Sequence, residues 1–211
     1  MSLLYNSALI GIYFMAFAML HSTLAGSWAK EYARRRWSLF GRRYRILYNL
    51  AAVATAIPLV MVLLFLEDRI LYLARPPWLY LALAIQAGAM LGMAYSLKQM
   101  GASQFLGLAE EAAGEGLVVR GLFCRVRNPL FLFATILIWA TPVMTWNLLT
   151  MNLLITAYFY LGSVLEERRL SVQLGGDYQD YRRSVPRFMP RPGRCYRQDA
   201  HFPSSRGPSR R

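Results

Sequence analysis

Two short polar motifs contain residue types that could bind a cofactor and transfer a group. An Arg-Asn-Pro motif occupies residues 127–129, and the adjacent carboxylates Glu166 and Glu167 follow later in the chain. Residues 128–165, which join the two motifs, carry no charge. Because about 20 apolar residues cross the bilayer core, this stretch is long enough to cross the membrane and return. The sequence therefore predicts that both motifs lie at the same membrane surface.

The Arg-Asn-Pro motif has the features of a helix start. Asn128 can accept a hydrogen bond from a free backbone N–H group, and Pro129 suits the first helical position. The N–H groups and the dipole of a helix N-terminus attract anions, and Arg125 and Arg127 add positive charge beside them. The motif predicts either an anion-binding helix start or an ordinary capped helix with basic residues at the membrane surface.

The two carboxylates lie at the expected end of a helix, where the helix dipole disfavours negative charge. A compensating interaction is therefore expected. Adjacent helical residues point about 100° apart, so one carboxylate can face the bundle while the other meets Arg168, Arg169 or solvent. Glu166 or Glu167 could accept hydrogen bonds from ribose hydroxyls or an ammonium group of a cofactor. The alternative is an interfacial ion-pair cluster.

A third polar group is expected at the same surface, around His21. Ser22 and Thr23 follow it near the end of the first apolar stretch, and Tyr48 lies at the start of the second. Ionisable groups within membrane segments are often functional, and histidine can act as a general base near neutral pH. We interpret His21 either as a catalytic base or as a partner in a hydrogen bond between helices.

Membrane helices must position these groups, and the composition predicts them. The chain has 211 residues, of which 56% are apolar, and three further stretches carry no charge. The first stretch lacks a basic N-terminal region and an evident cleavage site, so we interpret it as a retained helix rather than a signal peptide. The predicted fold is an all-α integral membrane bundle of five transmembrane helices. These helices are expected at residues 4–25, 46–66, 78–100, 129–140 and 148–170.

The net charge of +13 indicates membrane topology rather than nucleic-acid binding. Seven basic residues lie within residues 30–45, four within 98–127, and eleven from Arg168 onward, whereas the other loops hold only Arg69 and Arg75. By the positive-inside rule, the N-terminus is expected outside and the C-terminus in the cytoplasm. The expected location is a bacterial-type cytoplasmic membrane, with the chain as a multi-pass protein. The basic clusters would also attract anionic lipid headgroups.

Cys124 and Cys195 both fall on the predicted cytoplasmic side. Thiols usually stay reduced in the cytoplasm, so no disulfide is expected. Two cysteines without a suitable His/Cys spacing also predict no metal site.

The chain beyond the last apolar stretch has two parts. Tyr178, Tyr181 and Val185 recur at helical spacing, which predicts a short cytoplasmic helix lying on the membrane interface. The last residues are rich in Pro, Gly, Ser and Arg and have no apolar pattern, which is typical of disorder. The predicted organisation is a membrane core, a cytoplasmic cofactor-covering segment and a disordered basic tail, at residues 1–170, 171–191 and 192–211.

Residues 116–131, which contain the Arg-Asn-Pro motif, resemble the signature of integral-membrane methyltransferases of the isoprenylcysteine carboxyl methyltransferase and phospholipid methyltransferase group. Residues 139–145 and 165–170, with Tyr178 and Tyr181, are similar to the methanethiol S-methyltransferase branch and its NnrU-like relatives. The chain departs from the common pattern of the group at three positions, with Leu122 for Pro, Asn128 for His and Phe131 for Tyr.

The resemblance implies an S-adenosylmethionine cofactor, bound on the cytoplasmic side between the Arg-Asn-Pro loop and the end of the last helix. It also implies a small apolar thiol as the methyl acceptor, converted as methanethiol is to dimethyl sulfide. His21 and Arg127 are then the candidate catalytic residues. The candidate cofactor-binding residues are Gly121, Arg127, Asn128, Pro129, Glu166, Glu167, Tyr178 and Tyr181.

Two alternatives remain open at this level. Within the same enzyme class, the acceptor could be a lipid-linked substrate, as in isoprenylcysteine or phospholipid methyltransferases. In a different class, the chain could be a small transporter or a non-catalytic membrane protein. Transporters often carry repeats and charges within their spans, and this sequence shows neither.

Overall fold

The computed structural model describes residues 3–38, 41–101, 119–190 and 195–196. Most of the predicted basic tail lies outside these residues, as does much of the loop before the Arg-Asn-Pro motif. The described elements are α1 (Leu3–Ala25), α2 (Ser27–Trp37), α3 (Gly41–Phe65), β1 (Ile70–Leu73), α4 (Trp78–Met100), a 3-10 helix (Gly121–Cys124), α5 (Pro129–Trp139), β2 (Val143–Thr145), α6 (Trp146–Leu174) and α7 (Gly176–Ser184).

Four of the described helices, α1, α3, α4 and α6, are long and apolar enough to cross a membrane. They have 23, 25, 23 and 29 residues, and at about 1.5 Å per residue each exceeds the roughly 30 Å of the bilayer core. The prediction of an all-helical, multi-pass membrane bundle is confirmed. The α5 helix has 11 residues, a rise of about 16 Å, and does not cross the core as a helix by itself.

The α6 helix lies at the centre of the bundle. The α1 helix packs against α3 and α6, while α5 packs against α4 and α6. A buried apolar cluster at the α1, α3 and α6 contact contains Ile10, Phe14, Ala18, Leu59 and Met151. Large apolar side chains elsewhere on the long helices, such as Leu50, Leu64 and Leu91, point outward. A surface of this kind is suited to lipid rather than to water.

The last backbone groups of α5 are satisfied by its neighbours, which explains how a short helix can end inside the bundle. The side-chain amide of Gln86 on α4 donates to the carbonyl oxygen of Leu137 at 3.2 Å. The amide of Asn152 on α6 donates to the carbonyl oxygen of Ile138 at 2.9 Å. Unpaired carbonyl groups are costly where water is scarce, so both amides stabilise this helix end.

A small antiparallel sheet joins the segments at the opposite end of the bundle. Strand β1 pairs with β2 in a register that places Ile70 opposite Thr145 and Leu73 opposite Val143. The hydroxyl of Thr145 then caps α6 by accepting a hydrogen bond from the backbone N–H of Leu148 at 3.2 Å. The sheet therefore sets where α6 begins.

The prediction that the two cysteines remain unpaired is wrong in this structure. Cys124 and Cys195 form a disulfide with their Cα atoms 4.9 Å apart. The backbone N–H of Tyr196 donates to the carbonyl oxygen of Cys124 at 3.2 Å, so the chain after α7 returns alongside the 3-10 helix. The prediction considered only the reducing state of the cytoplasm. It could not include the contact between the two cysteines, because folding brings together residues that are 71 positions apart.

The contact between α4 and α5 depends on a glycine. A Cβ atom added at Gly92 would lie 2.6 Å from ring carbons of Phe133, whereas one added at Gly88 would meet nothing within 4 Å. We expect Gly92→Ala to lower the free energy of unfolding by about 1–3 kcal/mol through overpacking. Gly88→Ala should be neutral or stabilising by up to about 1 kcal/mol through helix propensity. Denaturant titration of the two detergent-solubilised variants measures the difference, and equal stabilities would contradict this packing.

Candidate functional site

The start of α5, the end of α6 and the segment after α7 meet at one end of the bundle. The backbone N–H of Arg127 donates to the carbonyl oxygen of Pro186 at 2.9 Å, and that of Asn128 donates to Arg187 at 3.1 Å. The Arg-Asn-Pro loop is therefore held by main-chain hydrogen bonds to the segment that follows α7. The two motifs lie at one surface of the molecule, because residues from both touch at this point.

Glu167 is the centre of this meeting point, with only 3% of its surface exposed. Arg127 donates to both carboxylate oxygens at 3.1 and 3.3 Å, and Arg187 does so at 2.9 and 2.8 Å. The side-chain amide of Asn128 adds a hydrogen bond of 3.2 Å to Oε1. Paired N–H donors from an arginine to a carboxylate form strong and specific contacts. We call Arg127, Asn128, Glu167 and Arg187 the Glu167 cluster.

Arg127 is almost fully engaged by the protein. Besides its contacts to Glu167, its Nη1 atom donates to the carbonyl oxygens of Arg182 at 2.5 Å and Val185 at 2.8 Å. The guanidinium group thus connects the α5 start to α6 and to the end of α7. In this arrangement Arg127 acts as a clamp, and a catalytic role would require it to release some of these contacts.

Arg187 is a residue of this site that the sequence reasoning missed. Its guanidinium carbon lies 5.4 Å from the ring centre of Tyr160, and its hydrogen bond to Glu167 raises the pKa of Arg187. The sequence predicted a compensating partner because it placed the carboxylate at a helix end. The α6 helix instead continues to Leu174, so burial rather than the helix dipole requires the partner. The sequence could not indicate which of the many C-terminal arginines would supply that compensation.

Glu166 has a different environment from its neighbour. It is partly exposed and pairs with Arg169 at 3.6 Å. It also lies near α2, because its charge acts on Lys30 of that helix. Burial lowers the pKa of Lys30, the charges of Arg169 and Arg45 lower it further, and the charge of Glu166 raises it. The two glutamates thus face different neighbours, as the angular separation of adjacent helical residues predicts. Of the two, only Glu166 keeps part of its carboxylate accessible.

Tyr178 and Tyr181 are buried rather than open to a ligand, with 1% and 2% of their surfaces exposed. With Val185 they form what we call the tyrosine cluster, which packs α7 against the end of α6. The hydroxyl of Tyr181 donates to the carbonyl oxygen of Phe123 at 2.5 Å. Burial raises the pKa of Tyr178 to about 12 and also raises the pKa of Tyr181. Both side chains are therefore neutral phenols that fix the position of α7.

Gly121 begins the 3-10 helix with a φ of +61°, a conformation that favours glycine. A Cβ atom there would lie 1.7 Å from the side-chain amide of Gln99. Gln99 uses its carbonyl oxygen to accept a hydrogen bond from the backbone N–H of Leu122 at 3.1 Å. The glycine thus allows the end of α4 to approach this loop closely.

Asn128 does not cap α5 with its side chain. The side-chain amide donates to Glu167 instead, while the main-chain carbonyl of Asn128 accepts the first intrahelical bond from Leu132 at 3.1 Å. Pro129, at the first helical position, is fully buried. The early N–H groups of α5 thus receive no side-chain cap from Asn128, which leaves the helix start as an electropositive end beside the Glu167 cluster.

His21 lies in a separate group of polar and aromatic side chains on the α1 side of α6. Its Nε2 atom is 2.5 Å from the hydroxyl of Tyr48, its ring stacks on Phe17 at 5.4 Å, and the ring of Tyr158 is 6.4 Å away. Tyr158 and Glu167 are nine residues apart on α6, which corresponds to about 13 Å along the axis and half a turn around it. The structure therefore places His21 and the Glu167 cluster on opposite faces of α6.

The chain is similar to proteins named methanethiol S-methyltransferase in several bacteria, which confirms the resemblance drawn from its motifs. It is 42% identical over 81 residues to methanethiol S-methyltransferase 2 of Bradyrhizobium diazoefficiens, a stretch that covers 38% of this chain and 31% of the relative. It is 40% identical over 73 residues to methanethiol S-methyltransferase of Mycobacterium tuberculosis, covering 35% and 30%.

The match is partial, since the aligned stretch spans about a third of the length of these relatives. No family model matches the chain, and no solved structure matches it.

The different surroundings of the two glutamates lead to opposite expectations for their amide variants. Glu167→Gln should lower the free energy of unfolding by about 3–5 kcal/mol, because removing one member of a buried ion cluster leaves the other charges unpaired. Glu166→Gln should change it by less than about 1 kcal/mol, since its ion pair is largely exposed. Denaturant titration in detergent measures both values. A Glu167→Gln protein as stable as Glu166→Gln would show that the cluster is not structural.

Proposed function

We propose that this relative of the methanethiol S-methyltransferases is a membrane enzyme that transfers a methyl group to a small apolar thiol. The observation that carries the proposal is the Glu167 cluster, which assembles the Arg-Asn-Pro loop and the end of α6 at one surface of a membrane bundle. These are the two motifs on which the resemblance depends. The relatives are named for methyl transfer to methanethiol.

We further propose S-adenosylmethionine as the methyl donor, because a methyltransferase needs a donor and the two motifs resemble those of enzymes that use this cofactor. When bound, it supplies a sulfonium methyl group with an unoccupied orbital along the bond to sulfur. The electropositive start of α5, at Asn128 and Pro129, fits the carboxylate of such a molecule. The backbone around Gly121 lies close to the same loop.

The surroundings of the two glutamates favour one of them as a ligand. Glu167 already accepts five hydrogen bonds from Arg127, Asn128 and Arg187, so it has little capacity left for ribose hydroxyls. Glu166 retains exposed carboxylate surface. We therefore assign cofactor contact to Glu166 and the positioning of the α5 start to Glu167, with Tyr178 and Tyr181 holding α7 in place beside it.

The environment of the bundle suits the reaction. Attack of a thiolate on a sulfonium neutralises two charges, and a step of this kind is favoured in a dry site of low dielectric constant. The residues of the chain would hold the two reactants in line and exclude water, which supplies much of the rate enhancement. A small apolar thiol also concentrates in the bilayer, where the outward faces of the long helices lie.

The proposed topology places this site in the cytoplasm. Lys30 lies near Glu166 and Arg169, so the basic helix α2 is at the same end of the bundle as the candidate site. The positive-inside rule then places this end on the cytoplasmic side and the N-terminus outside. A chain whose termini lie on opposite sides of the membrane needs an odd number of crossings. We propose that α5 together with residues 140–145 forms the fifth crossing.

The cofactor assignment predicts that replacing Glu166 weakens cofactor binding while leaving the free energy of unfolding almost unchanged. We expect detergent-purified protein to bind S-adenosylmethionine in calorimetry. Glu166→Gln should weaken binding by about tenfold through loss of a charge-assisted contact, and Asn128→Ala by about tenfold because losing its hydrogen bond to Glu167 displaces the α5 start. Asp180→Asn is the matched control, because Asp180 is an exposed carboxylate on α7 that pairs with Arg183. Its affinity should equal that of the wild type. Absence of binding by a folded wild type would remove the cofactor assignment and favour a transporter or a non-catalytic protein.

The role of His21 predicts a specific kinetic change. If His21 takes the proton of the acceptor thiol, His21→Ala should lower kcat by about 100-fold or more at neutral pH, with S-adenosylmethionine affinity unchanged. The loss should diminish at higher pH, where the thiol ionises without assistance. Tyr48→Phe keeps the ring and removes only the hydroxyl next to His21, so it should shift the pH profile without abolishing turnover. Headspace gas chromatography of the methylated product measures both, and a His21→Ala enzyme with unchanged turnover at every pH would exclude this role.

A further inference from the structure

The disulfide holds residues 195 and 196 against the candidate site. Cys124 ends the 3-10 helix, three residues before Arg127, and Cys195 joins it from beyond α7. Tyr196 packs against the tyrosine cluster, with its ring centre 5.6 Å from that of Tyr181. The backbone hydrogen bond from Tyr196 to Cys124 completes the contact. Residues 195 and 196 therefore cover the same cluster that fixes α7.

The two cysteine residues differ in their exposure. Cys124 is 5% exposed, whereas Cys195 is exposed at the surface. A thiolate that attacks the bond therefore reaches the Cys195 sulfur, and the Cys124 sulfur becomes the leaving group. Arg125 follows Cys124 directly, and positive charge beside a disulfide favours both an incoming and a departing thiolate.

The proposed location of the disulfide on the cytoplasmic side indicates that the bond can be opened and re-formed. The basic helix α2 is at the same end of the bundle as the pair, so the positive-inside rule assigns this end to the cytoplasm. Disulfides in the cytoplasm are usually transient and catalytic or redox-sensing rather than structural. A bond that is accessible from only one sulfur is suited to such a role.

We propose that the Cys124–Cys195 disulfide is a thiol-exchange site at which a small thiol releases residues 195 and 196 from the tyrosine cluster. The thiolate sulfur forms a bond to the Cys195 sulfur, the bond between the two cysteines breaks, and Cys124 leaves as a thiolate that takes a proton from water. In the reverse step, the Cys124 thiolate attacks the mixed disulfide and releases the small thiol. No other oxidant or reductant is consumed in either direction.

Opening has a defined consequence for the cluster. Residues 195 and 196 lose their covalent link, whereas α7 keeps the hydrogen bond from Tyr181 to Phe123 and the contacts of Arg127 to Arg182 and Val185. The tyrosine cluster loses the cover of Tyr196 while the Glu167 cluster stays assembled. Exchange thus loosens α7 locally without unfolding the bundle.

The test uses the full chain in detergent, with reduced glutathione as the probe. Peptide mapping after incubation should find glutathione on Cys195 and a free thiol at Cys124 that reacts with N-ethylmaleimide. Hydrogen exchange of residues 176–190 should become faster by about tenfold or more, with α4 unchanged. Glutathione attached to Cys124 instead, a disulfide that resists millimolar thiol, or exchange without any change in α7 protection would each overturn the proposal.

Two single variants control for nonspecific effects. Cys195→Ser should show the faster hydrogen exchange of α7 without any thiol and should not respond further to glutathione. Cys124→Ser keeps the exposed Cys195 thiol, which should react with N-ethylmaleimide without prior reduction. Thermal unfolding of the wild type with and without glutathione shows whether the opened form remains folded. None of these measurements requires cofactor or methyl transfer, so their failure leaves the proposed function untouched.

Discussion

The buried carboxylate of Glu167 is the constraint on which this end of the molecule depends. A buried carboxylate is opposed by desolvation. Arg127 and Arg187 offset this effect, since each donates twice to Glu167. Arg127 also donates to the carbonyl oxygens of Arg182 and Val185. Three chain segments far apart in sequence must therefore meet for one buried charge to be tolerated.

This requirement explains why the residues of the Arg-Asn-Pro motif serve mainly to position one another. Asn128 gives its side-chain amide to Glu167 and so leaves the α5 start without a side-chain cap. The same contact that stabilises the carboxylate therefore keeps a helix N-terminus electropositive beside it. The accessible acceptor is the neighbouring Glu166, whose position one residue earlier turns it toward α2. Helix geometry alone thus gives two adjacent residues different surroundings, one buried in the Glu167 cluster and one partly exposed.

The membrane imposes a second constraint, because backbone groups without partners are costly in a medium with little water. The α5 helix ends early, and side-chain amides from α4 and α6 satisfy its last carbonyl groups. The α6 helix runs the length of the bundle and separates two environments. One face carries the aromatic group around His21, and the other carries the Glu167 cluster. Any reaction that uses both must bring its reactants around or across the end of α6.

Much of the architecture could be predicted from the sequence because it follows from local rules. The bounds of α4 match the prediction at both ends, and those of α1, α3 and α6 differ from it by at most five residues. These helices could be located because an uncharged stretch of bilayer length is recognisable in the sequence itself. The meeting of the two motifs was also predictable, because a chain that crosses and returns brings its ends to one surface. The predicted bounds of α5 are within one residue of those observed. Hydrogen bonds from distant side chains account for its short length.

The sequence by itself determined that this is a helical membrane protein with two polar motifs at one end, because apolar length and charge distribution are properties of contiguous segments. Only the tertiary structure decided which glutamate is buried, that Arg187 is its partner, that His21 lies on the other face of α6, and that Cys124 pairs with Cys195. Each of these is a contact between residues separated by at least 20 positions or a choice among equivalent side chains. Such contacts depend on how helices rotate and pack against one another, and no local pattern in the chain contains that information.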